Sequence, residues 1–495
     1  MLKLPSKMKK LIYSITVLSL LMTSCVSDDP SINNDQDKSY DVPAETLFTN
    51  AEKELTDQLV TPSVNQSVLR YASQYWAATQ YNAEARFNIT TRRIGDNHWN
   101  VLYRLVLGNL EKSREVILSE AKPDNLTQTV WQKQQTNKIA LIEILQVYTF
   151  QVLVDTYGDI PYSDALKVKE VILPRYEDDA AIYPKLITRL DAAIATLDES
   201  EGSFGSADFI YEGDVASWKT FANTIKLKIG LNLADADNAL SKSTVESAYN
   251  AGVILSNTEN ASFNYPGASP MFNPIYANLV ASNRDDFVAS VTIINEMNTL
   301  ADPRRAVYFT PLADGTYKGG LNGPTNLYAN FSHIGNKLVA ANFPGLLAES
   351  TEVNFYLAEA AARGYAVGNT AEYYYNNAIT ASFEYWGIAS EAPAYLAKAD
   401  VNYATAPGAT YKEKIGRQAW IAFFNRPFES WNSYRRLDFP ALVAPANAVA
   451  AAEGEIPKRY TYPINEQTVN NANWSAATIA IGGNKLKTHV FWDKN

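Results

Sequence analysis

Apolar side chains recur at helical spacing through most of the chain, and this pattern constrains the fold more than any other feature. The first clear stripe consists of Trp99, Leu102, Tyr103, Val106 and Leu110. Their spacing puts them on one face of a helix. The next segment, residues 127–157, is apolar nearly all round, which is typical of a central helix. It ends before Gly158, a helix-stopping residue. The pattern therefore predicts a helical scaffold.

Further helices are predicted in pairs. One pair covers residues 178–198 and 215–234, and the clearest pair covers residues 352–365 and 371–386. Thr370 is a suitable N-cap for the last helix, and small residues on the helix before it face aromatic residues. We predict an all-α fold of about four tetratricopeptide-like helical hairpins with large irregular loop insertions, although the strict repeat signature is absent. Such a scaffold leaves the function open.

Long segments without a clear period separate these helices. They cover residues 77–97, 201–215 and 258–347 and are rich in Gly, Pro, Asn and Tyr. Structureless loops of this length inside a compact protein are usually functional. We therefore expect ligand-binding residues mainly in the loops at residues 74–98 and 258–347.

The first 25 residues have the order of a bacterial lipoprotein signal. Lys9 and Lys10 precede an apolar run at residues 11–22, and small residues lead to Cys25. A positive segment, an apolar segment and small residues mark a secretory signal peptide, and the cysteine is where a lipoprotein signal is cut and acylated. A transmembrane anchor is the alternative. The run is about a dozen residues long, whereas a spanning helix needs roughly 20.

This signal predicts three parts of the chain. Residues 1–24 are the expected signal peptide, residues 25–42 a flexible acidic tether, and residues 43–495 a single domain. The acidic start of the tether is similar to the surface-export signal of one group of Gram-negative bacteria, and an ordinary solvated linker is the alternative. We expect a protein that is lipid-anchored at Cys25 in the outer membrane and exposed at the cell surface.

Composition and motifs exclude several classes of function. The formal net charge of −10 argues against a nucleic-acid partner, because binding phosphates needs a basic surface. The three histidines, His98, His333 and His489, lack metal-ligand spacing, and neither an EF-hand nor a nucleophile or phosphate-binding motif is present. We expect a protein that is not an enzyme and needs no cofactor, and we assign no metal ligands. A structural calcium in the loops stays open, because such sites can be built from scattered oxygens. A surface glycoside hydrolase with an unrecognised carboxylate pair remains the alternative from another class.

Short phrases in a particular order resemble those of one family. They are residues 157–162 (YGDIPY), 211–214 (YEGD), 218–223 (WKTFAN), 284–287 (RDDF), 302–305 (DPRR), 358–364 (AEAAARG), 428–431 (FESW) and 434–440 (YRRLDFP). Together with the lipoprotein signal, they make the chain similar to the SusD/RagB family of outer-membrane nutrient-binding lipoproteins. Within the late phrases, Glu429, Trp431, Arg435 and Arg436 are interpreted as an ion-paired, aromatic-packed brace rather than as ligand contacts.

The resemblance implies that a glycan is captured at the cell surface and passed to a SusC-like TonB-dependent transporter. An oligopeptide ligand of the RagB type is the alternative, and a pure protein-binding scaffold is another. Tyr and Trp can be ordered into a platform at low entropic cost, and loops on a rigid scaffold are the natural location. The candidate ligand-binding residues are Trp76, Tyr81, Asn82, Arg86, Tyr276, Arg284 and Tyr328.

Overall fold

Helices dominate the computed structural model, which describes residues 42–494. The predicted signal peptide, the acylation site at Cys25 and the tether up to residue 41 lie outside the described residues. The helices up to residue 251 are α1 Ala44–Val60, α2 Leu69–Ala72, α3 Asn82–Ala85, α4 Ile94–Asn100, α5 Gly108–Ser119, α6 Gln128–Tyr157, α7 Asp179–Thr196, α8 Val215–Asn232 and α9 Asn238–Ala251. Those that follow are α10 Pro274–Tyr276, α11 Val291–Thr299, α12 Arg305–Tyr308, α13 Ser350–Ala362, α14 Ala371–Trp386, α15 Ala392–Leu396, α16 Tyr411–Ala422, α17 Pro427–Leu437, α18 Ile464–Val469 and α19 Asn471–Ala480.

Consecutive helices pack as hairpins. The most extensive contacts join α13 to α14, α8 to α9 and α6 to α7. The contact of α1 with α5 comes next, and α5 with α6 and α16 with α17 are further consecutive pairs. This confirms the all-α prediction of tetratricopeptide-like hairpins. The predicted partnership of residues 178–198 with 215–234 is only part of the arrangement, because α7 contacts α6 more extensively than α8.

The 30-residue helix α6 lies at the centre of the fold. It begins after Thr127, whose hydroxyl accepts a hydrogen bond from the Val130 amide at 3.3 Å, and it ends at Gly158, which has φ 77°. Among the described residues it is the one helix long and apolar enough to cross a membrane, but 89% of its apolar window is buried inside the protein. It is therefore a core helix of this fold.

Near its end, α6 carries a fully buried carboxylate. Asp155 accepts hydrogen bonds from Trp492 Nε1 at 2.9 Å and from Asn432 Nδ2 at 3.0 Å, and also from the Tyr183 hydroxyl. Burial raises the pKa of Asp155, and the charge of the nearby Arg435, together with the hydrogen bonds from Tyr183 and Trp492, opposes that rise. The carboxylate therefore joins distant parts of the chain to the central helix.

The hairpin of α13 and α14 confirms the clearest of the predicted pairs. The Thr370 hydroxyl caps α14 by accepting from the Tyr373 amide at 3.2 Å. Ala358 and Ala360 on α13 are fully buried, as are Ala378 and Ile379 on α14. Small side chains on α13 thus allow the aromatic helix α14 to pack closely.

The structure differs from the predicted periodicity at the stripe that begins at Trp99. There α4 and α5 are joined without a break by a π-helical segment, Val101–Leu107. A π segment adds one residue to a helical turn, so a 3.6-residue pattern does not reveal it. Helix α1 was not predicted from periodicity, and the predicted loop at residues 258–347 contains the nine-residue helix α11.

Three small antiparallel sheets tie the loops to the scaffold. Strands β1 Trp76–Ala78, β2 Ile160–Pro161, β3 Tyr176–Glu177, β4 Ala261–Phe263, β5 Phe287–Ala289 and β6 Gly345–Ala348 pair as β1–β5, β2–β3 and β4–β6. The β1–β5 pair aligns Trp76 with Ala289 and Ala78 with Phe287. It therefore joins the two loop regions in which ligand-binding residues are expected.

The late family phrases form a buried brace, as predicted. The Arg435 guanidinium lies 3.6 Å from the centre of the Trp431 ring and 4.7 Å from that of Trp492. Arg436 Nε donates to Glu359 at 2.9 Å, and Lys228 Nζ lies 2.5 Å from a Glu429 carboxylate oxygen. These side chains are buried, so they hold helices together rather than face a ligand.

Candidate functional site

Strand pairing brings separate loops onto one surface. Besides the β1–β5 pair, the buried Asn326 donates through its backbone amide and its side chain to the Ala78 carbonyl, at 2.9 and 3.0 Å. The Ala289 amide donates to the Ser332 carbonyl at 2.8 Å. The segments around residues 79–92, 284–286 and 325–333 therefore lie side by side on a rigid support.

Tyr81 lies at the centre of this surface between two guanidinium groups. Arg92 lies 4.8 Å and Arg284 5.8 Å from the centre of the Tyr81 ring. Arg284 Nη2 also donates to the Tyr81 hydroxyl at 3.4 Å, across 203 positions of sequence. Tyr81 itself has φ 53°, a left-handed conformation that is uncommon for a bulky residue and is often found at functional positions.

Carboxylates and an amide hold the two guanidinium groups. Arg92 Nε lies 2.8 Å from Glu84 Oε1, and its Nη1 donates to Asn65 Oδ1 at 3.1 Å. Arg284 lies 3.7 Å from Asp286, and 46% of its side chain is exposed. Burial raises the pKa of Asp286, and the charge of Arg284 opposes that rise. The arginine at the solvent edge is thus oriented while keeping donors free for a ligand.

Tyr328 borders the same surface. Its ring stacks on His333 with centroids 3.7 Å apart and planes 11° apart. Burial and the neighbouring carboxylate of Asp285 raise the pKa of Tyr328. Asn82 lies at the same surface and donates from Nδ2 to the Thr325 hydroxyl at 2.9 Å. We call Tyr81, Asn82, Arg92, Arg284 and Tyr328 the Tyr81 cluster.

Three predicted binding residues make structural contacts instead. Trp76 has no exposed surface, because β1 turns its ring toward Phe287 and Arg70, so the expectation that it contacts a ligand is corrected. Arg86 is half-buried, and its Nε donates to the Asn82 carbonyl at 3.2 Å, which secures the local turn. Tyr276 is half-buried and packs on Phe272 at 5.1 Å. The structure thus brings together Tyr81, Asn82, Arg284 and Tyr328 of the seven predicted residues.

Arg92 and Asn65 are the members of this surface that sequence reasoning missed. Both line a small cavity of about 60 Å³ beside Tyr81 and Arg284. Arg92 is followed directly by Arg93, and no periodicity or motif distinguishes the two in a loop. Only the fold shows that one of them stacks on Tyr81.

One group of carboxylates in residues 42–494 has the proximity of metal ligands. Oxygen atoms of Asp159, Asp178 and Asp179 lie within 4.8 Å of one another. Burial raises the pKa of Asp159 to about 6 and that of Asp179 to about 7. Backbone amides satisfy two of the oxygens, since the Asp179 amide donates to Asp159 at 3.0 Å and the Phe491 amide donates to Asp179 at 2.9 Å. This cluster is distinct from the residues around Tyr81.

Comparison with known proteins identifies the family. The chain matches the model of a SusD-like family described as "Starch-binding associating with outer membrane" over residues 35–463. No curated protein sequence matches the chain significantly. Several solved structures share the fold.

A SusD homologue from Bacteroides uniformis is 25% identical, with a TM-score of 0.77, and the match covers 92% of this chain and 100% of that chain. A chitin-binding SusD homologue from Flavobacterium johnsoniae is also 25% identical, with a TM-score of 0.76 and coverage of 91% and 99%. A further chitin-binding protein, 23% identical, has a TM-score of 0.77 and coverage of 91% and 100%. Because the family model spans most of the sequence, this chain belongs to the SusD-like family.

Proposed function

We propose that the protein is a non-catalytic glycan-binding lipoprotein that captures an oligosaccharide or polysaccharide at the Tyr81 cluster. The observation that carries this proposal is the meeting of Tyr81, Arg284 and Tyr328, which come from separate loops, on one supported surface. Aromatic rings offer apolar faces for sugar C–H groups, and guanidinium and amide groups offer hydrogen bonds for sugar hydroxyls. The family description and the chitin-binding neighbours support a glycan as the ligand.

The proposal includes delivery to a partner. The lipid anchor at Cys25 would hold the protein at the outer membrane, and a SusC-like TonB-dependent transporter would take the glycan across it. Transport would draw its energy from that partner, so no cofactor is needed in this chain. Co-purification of a β-barrel transporter with the acylated protein would support this step.

Affinity electrophoresis against a panel that includes starch and chitin tests the binding step. We expect one polysaccharide to retard the wild-type protein, and Tyr81→Ala and Arg284→Ala to weaken binding by about tenfold or more, which corresponds to about 1.4 kcal/mol. Tyr373→Ala is the matched control, because Tyr373 is 48% exposed on α14 and lies outside the Tyr81 cluster.

Other outcomes would contradict the proposal. Binding of peptides but not of any polysaccharide would favour the RagB-type alternative. Turnover of a polysaccharide by the purified protein would show a glycoside hydrolase instead. Equal glycan affinity of Tyr81→Ala and Tyr373→Ala would show that the glycan binds at a site other than the Tyr81 cluster.

A further inference from the structure

A second groove lies next to the Tyr81 cluster, along the solvent side of α4 and the π segment. It has a volume of about 450 Å³, within the range of about 300–1,000 Å³ that is usual for ligand sites. Its lining includes Arg93, Asp96, Trp99, Tyr103 and Glu466. Arg93 and Asp96 lie in the predicted ligand-binding loop at residues 74–98, but none of these residues was among the seven named candidates.

Aromatic rings form one wall of this groove. Trp99 is half-buried, and its ring centre lies 4.7 Å from that of Tyr103 and 5.9 Å from that of Tyr176. The Tyr103 hydroxyl donates to the Pro161 carbonyl at 2.5 Å, and the Tyr176 hydroxyl donates to Glu466 at 3.1 Å. Tyr176 is outside the groove lining, but its ring packs on Trp99. Because the hydrogen bonds fix both tyrosines, the wall formed by Trp99 and Tyr103 loses little conformational entropy when a ligand binds.

Polar groups form another part of the groove lining. Arg93 Nη2 lies 2.7 Å from Asp96 Oδ1 and donates to Asn465 Oδ1 at 2.6 Å. The backbone amide of Ile464 donates to Asp96 Oδ2 at 3.1 Å. Charged donors and acceptors are thus held side by side at the surface, an arrangement that suits hydroxyl groups because each hydroxyl both donates and accepts.

The groove and the Tyr81 cluster meet at Asn65. Arg92, which stacks on Tyr81, donates to the Asn65 side chain at 3.1 Å, while Asn97 Nδ2 donates to the Asn65 carbonyl at 2.8 Å. Asn97 lines the groove, and Asn65 lines the small cavity beside Tyr81. Of the consecutive arginines, Arg92 therefore lines the cavity beside Tyr81 and Arg93 lines the groove.

The groove also continues in the other direction. Trp99, Tyr103 and Glu466 line a further cavity of about 600 Å³ that extends to Glu111 on α5. From Arg93 to Glu111 the helix rises by roughly 25 Å, at about 1.5 Å per residue. The combined surface is thus elongated, and it is much longer than one sugar ring.

We propose that this groove is a second carbohydrate subsite, and that it binds the same linear oligosaccharide chain as the Tyr81 cluster. The inference rests on the proposed function and adds a second site to it, so that a chain of several sugar rings should bind more tightly than a disaccharide. The aromatic wall contacts the apolar faces of the rings, while Arg93 and Asp96 bind hydroxyl groups along the chain.

The test measures affinity against chain length by calorimetry, with maltooligosaccharides and chitooligosaccharides from the disaccharide to the octasaccharide. For the wild-type protein we expect affinity to rise by about tenfold or more between short and long chains, which corresponds to about 1.4 kcal/mol. Arg93→Ala and Trp99→Leu should lose most of this gain. Lys219→Ala, which removes an exposed ion-paired cation on α8, is the control and should keep it.

The outcomes separate this inference from the proposed function. Binding without any dependence on chain length, or a full gain in Arg93→Ala and Trp99→Leu, would overturn the second subsite and leave glycan binding intact. Failure of every oligosaccharide and polysaccharide to bind the wild-type protein would overturn both. Because Trp99 also packs in the fold, Trp99→Phe serves as a check and should keep part of the gain together with the wild-type melting temperature.

Discussion

Replacing Lys228 by Met tests whether the late family phrases act as a structural brace. Lys228 on α8 and Glu429 on α17 are 4% and 2% exposed at their side chains, with a 2.5 Å separation between Nζ and Oε1. Glu429 also lies 3.5 Å from Arg426, which pairs with Glu352 and lies 3.7 Å from Glu349. Two cations thus face three carboxyl groups in the buried network.

The buried network determines how much stability Lys228→Met should lose and how that loss should depend on pH. Breaking a buried ion pair by removing one partner costs about 3–5 kcal/mol, because the remaining charge is left without compensation. In the wild-type protein burial raises the pKa of Glu429, but Lys228 and Arg426 outweigh burial and hold that pKa below its usual value. Without Lys228 the pKa of Glu429 should rise above its unfolded value, so the variant should lose stability as the pH rises above about 4.5.

Urea unfolding of Lys228→Met at pH 5 and pH 8 measures both effects. We expect a free energy of unfolding lower by about 3–5 kcal/mol at pH 8, with a smaller loss at pH 5. The matched control is Lys219→Met on the same helix, whose exposed pair with Glu199 spans 2.7 Å and should contribute at most about 1 kcal/mol. Adding Glu429→Gln to Lys228→Met should recover stability at pH 8. Equal costs for the two lysines, or a loss that does not depend on pH, would refute the reasoning.

Three further predictions concern other parts of the molecule. Arg435→Lys removes the guanidinium that packs on Trp431 and Trp492, so the free energy of unfolding should fall by roughly 2 kcal/mol in thermal unfolding. An unchanged melting temperature would argue against a stabilising role for these contacts. Burial raises the pKa of Asp179 to about 7, so the folded protein loses stability as the pH rises from about 4 to 7 and this carboxyl group becomes charged. Asp179→Asn should therefore raise the melting temperature at pH 8 more than at pH 5. A larger increase at pH 5 would exclude this effect. Cys25→Ala should leave glycan binding of the purified protein intact but impair glycan uptake by cells. Normal uptake by this variant would mean that Cys25 serves only to target the protein to the membrane.

Local sequence signals predicted the scaffold well because its helices carry their own boundaries. Thr127 and Gly158 mark the ends of α6, and Thr370 caps α14, as expected. The π segment at Val101–Leu107 was not predicted, since its hydrogen bonding breaks the 3.6-residue period on which the analysis relied.

The site was harder to predict because it depends on contacts between distant residues. Arg284 reaches Tyr81 only because β1 pairs with β5, and that same pairing buries Trp76. Residue type alone therefore identified aromatic candidates without separating exposed rings from core rings. Arg92 and Arg93 illustrate the same point, since neighbouring identical residues face different sites.

The hydrogen bond between Asp155 and Trp492 has a consequence for the order in which the protein can be made and folded. The two residues are 337 positions apart, and Asn432, another donor to Asp155, is 277 positions away. A buried carboxylate without its donors is costly, so the central helix cannot reach its final environment until synthesis has passed residue 492. A nascent chain would therefore stay incompletely folded for most of its synthesis, a property that suits the export predicted from the signal peptide.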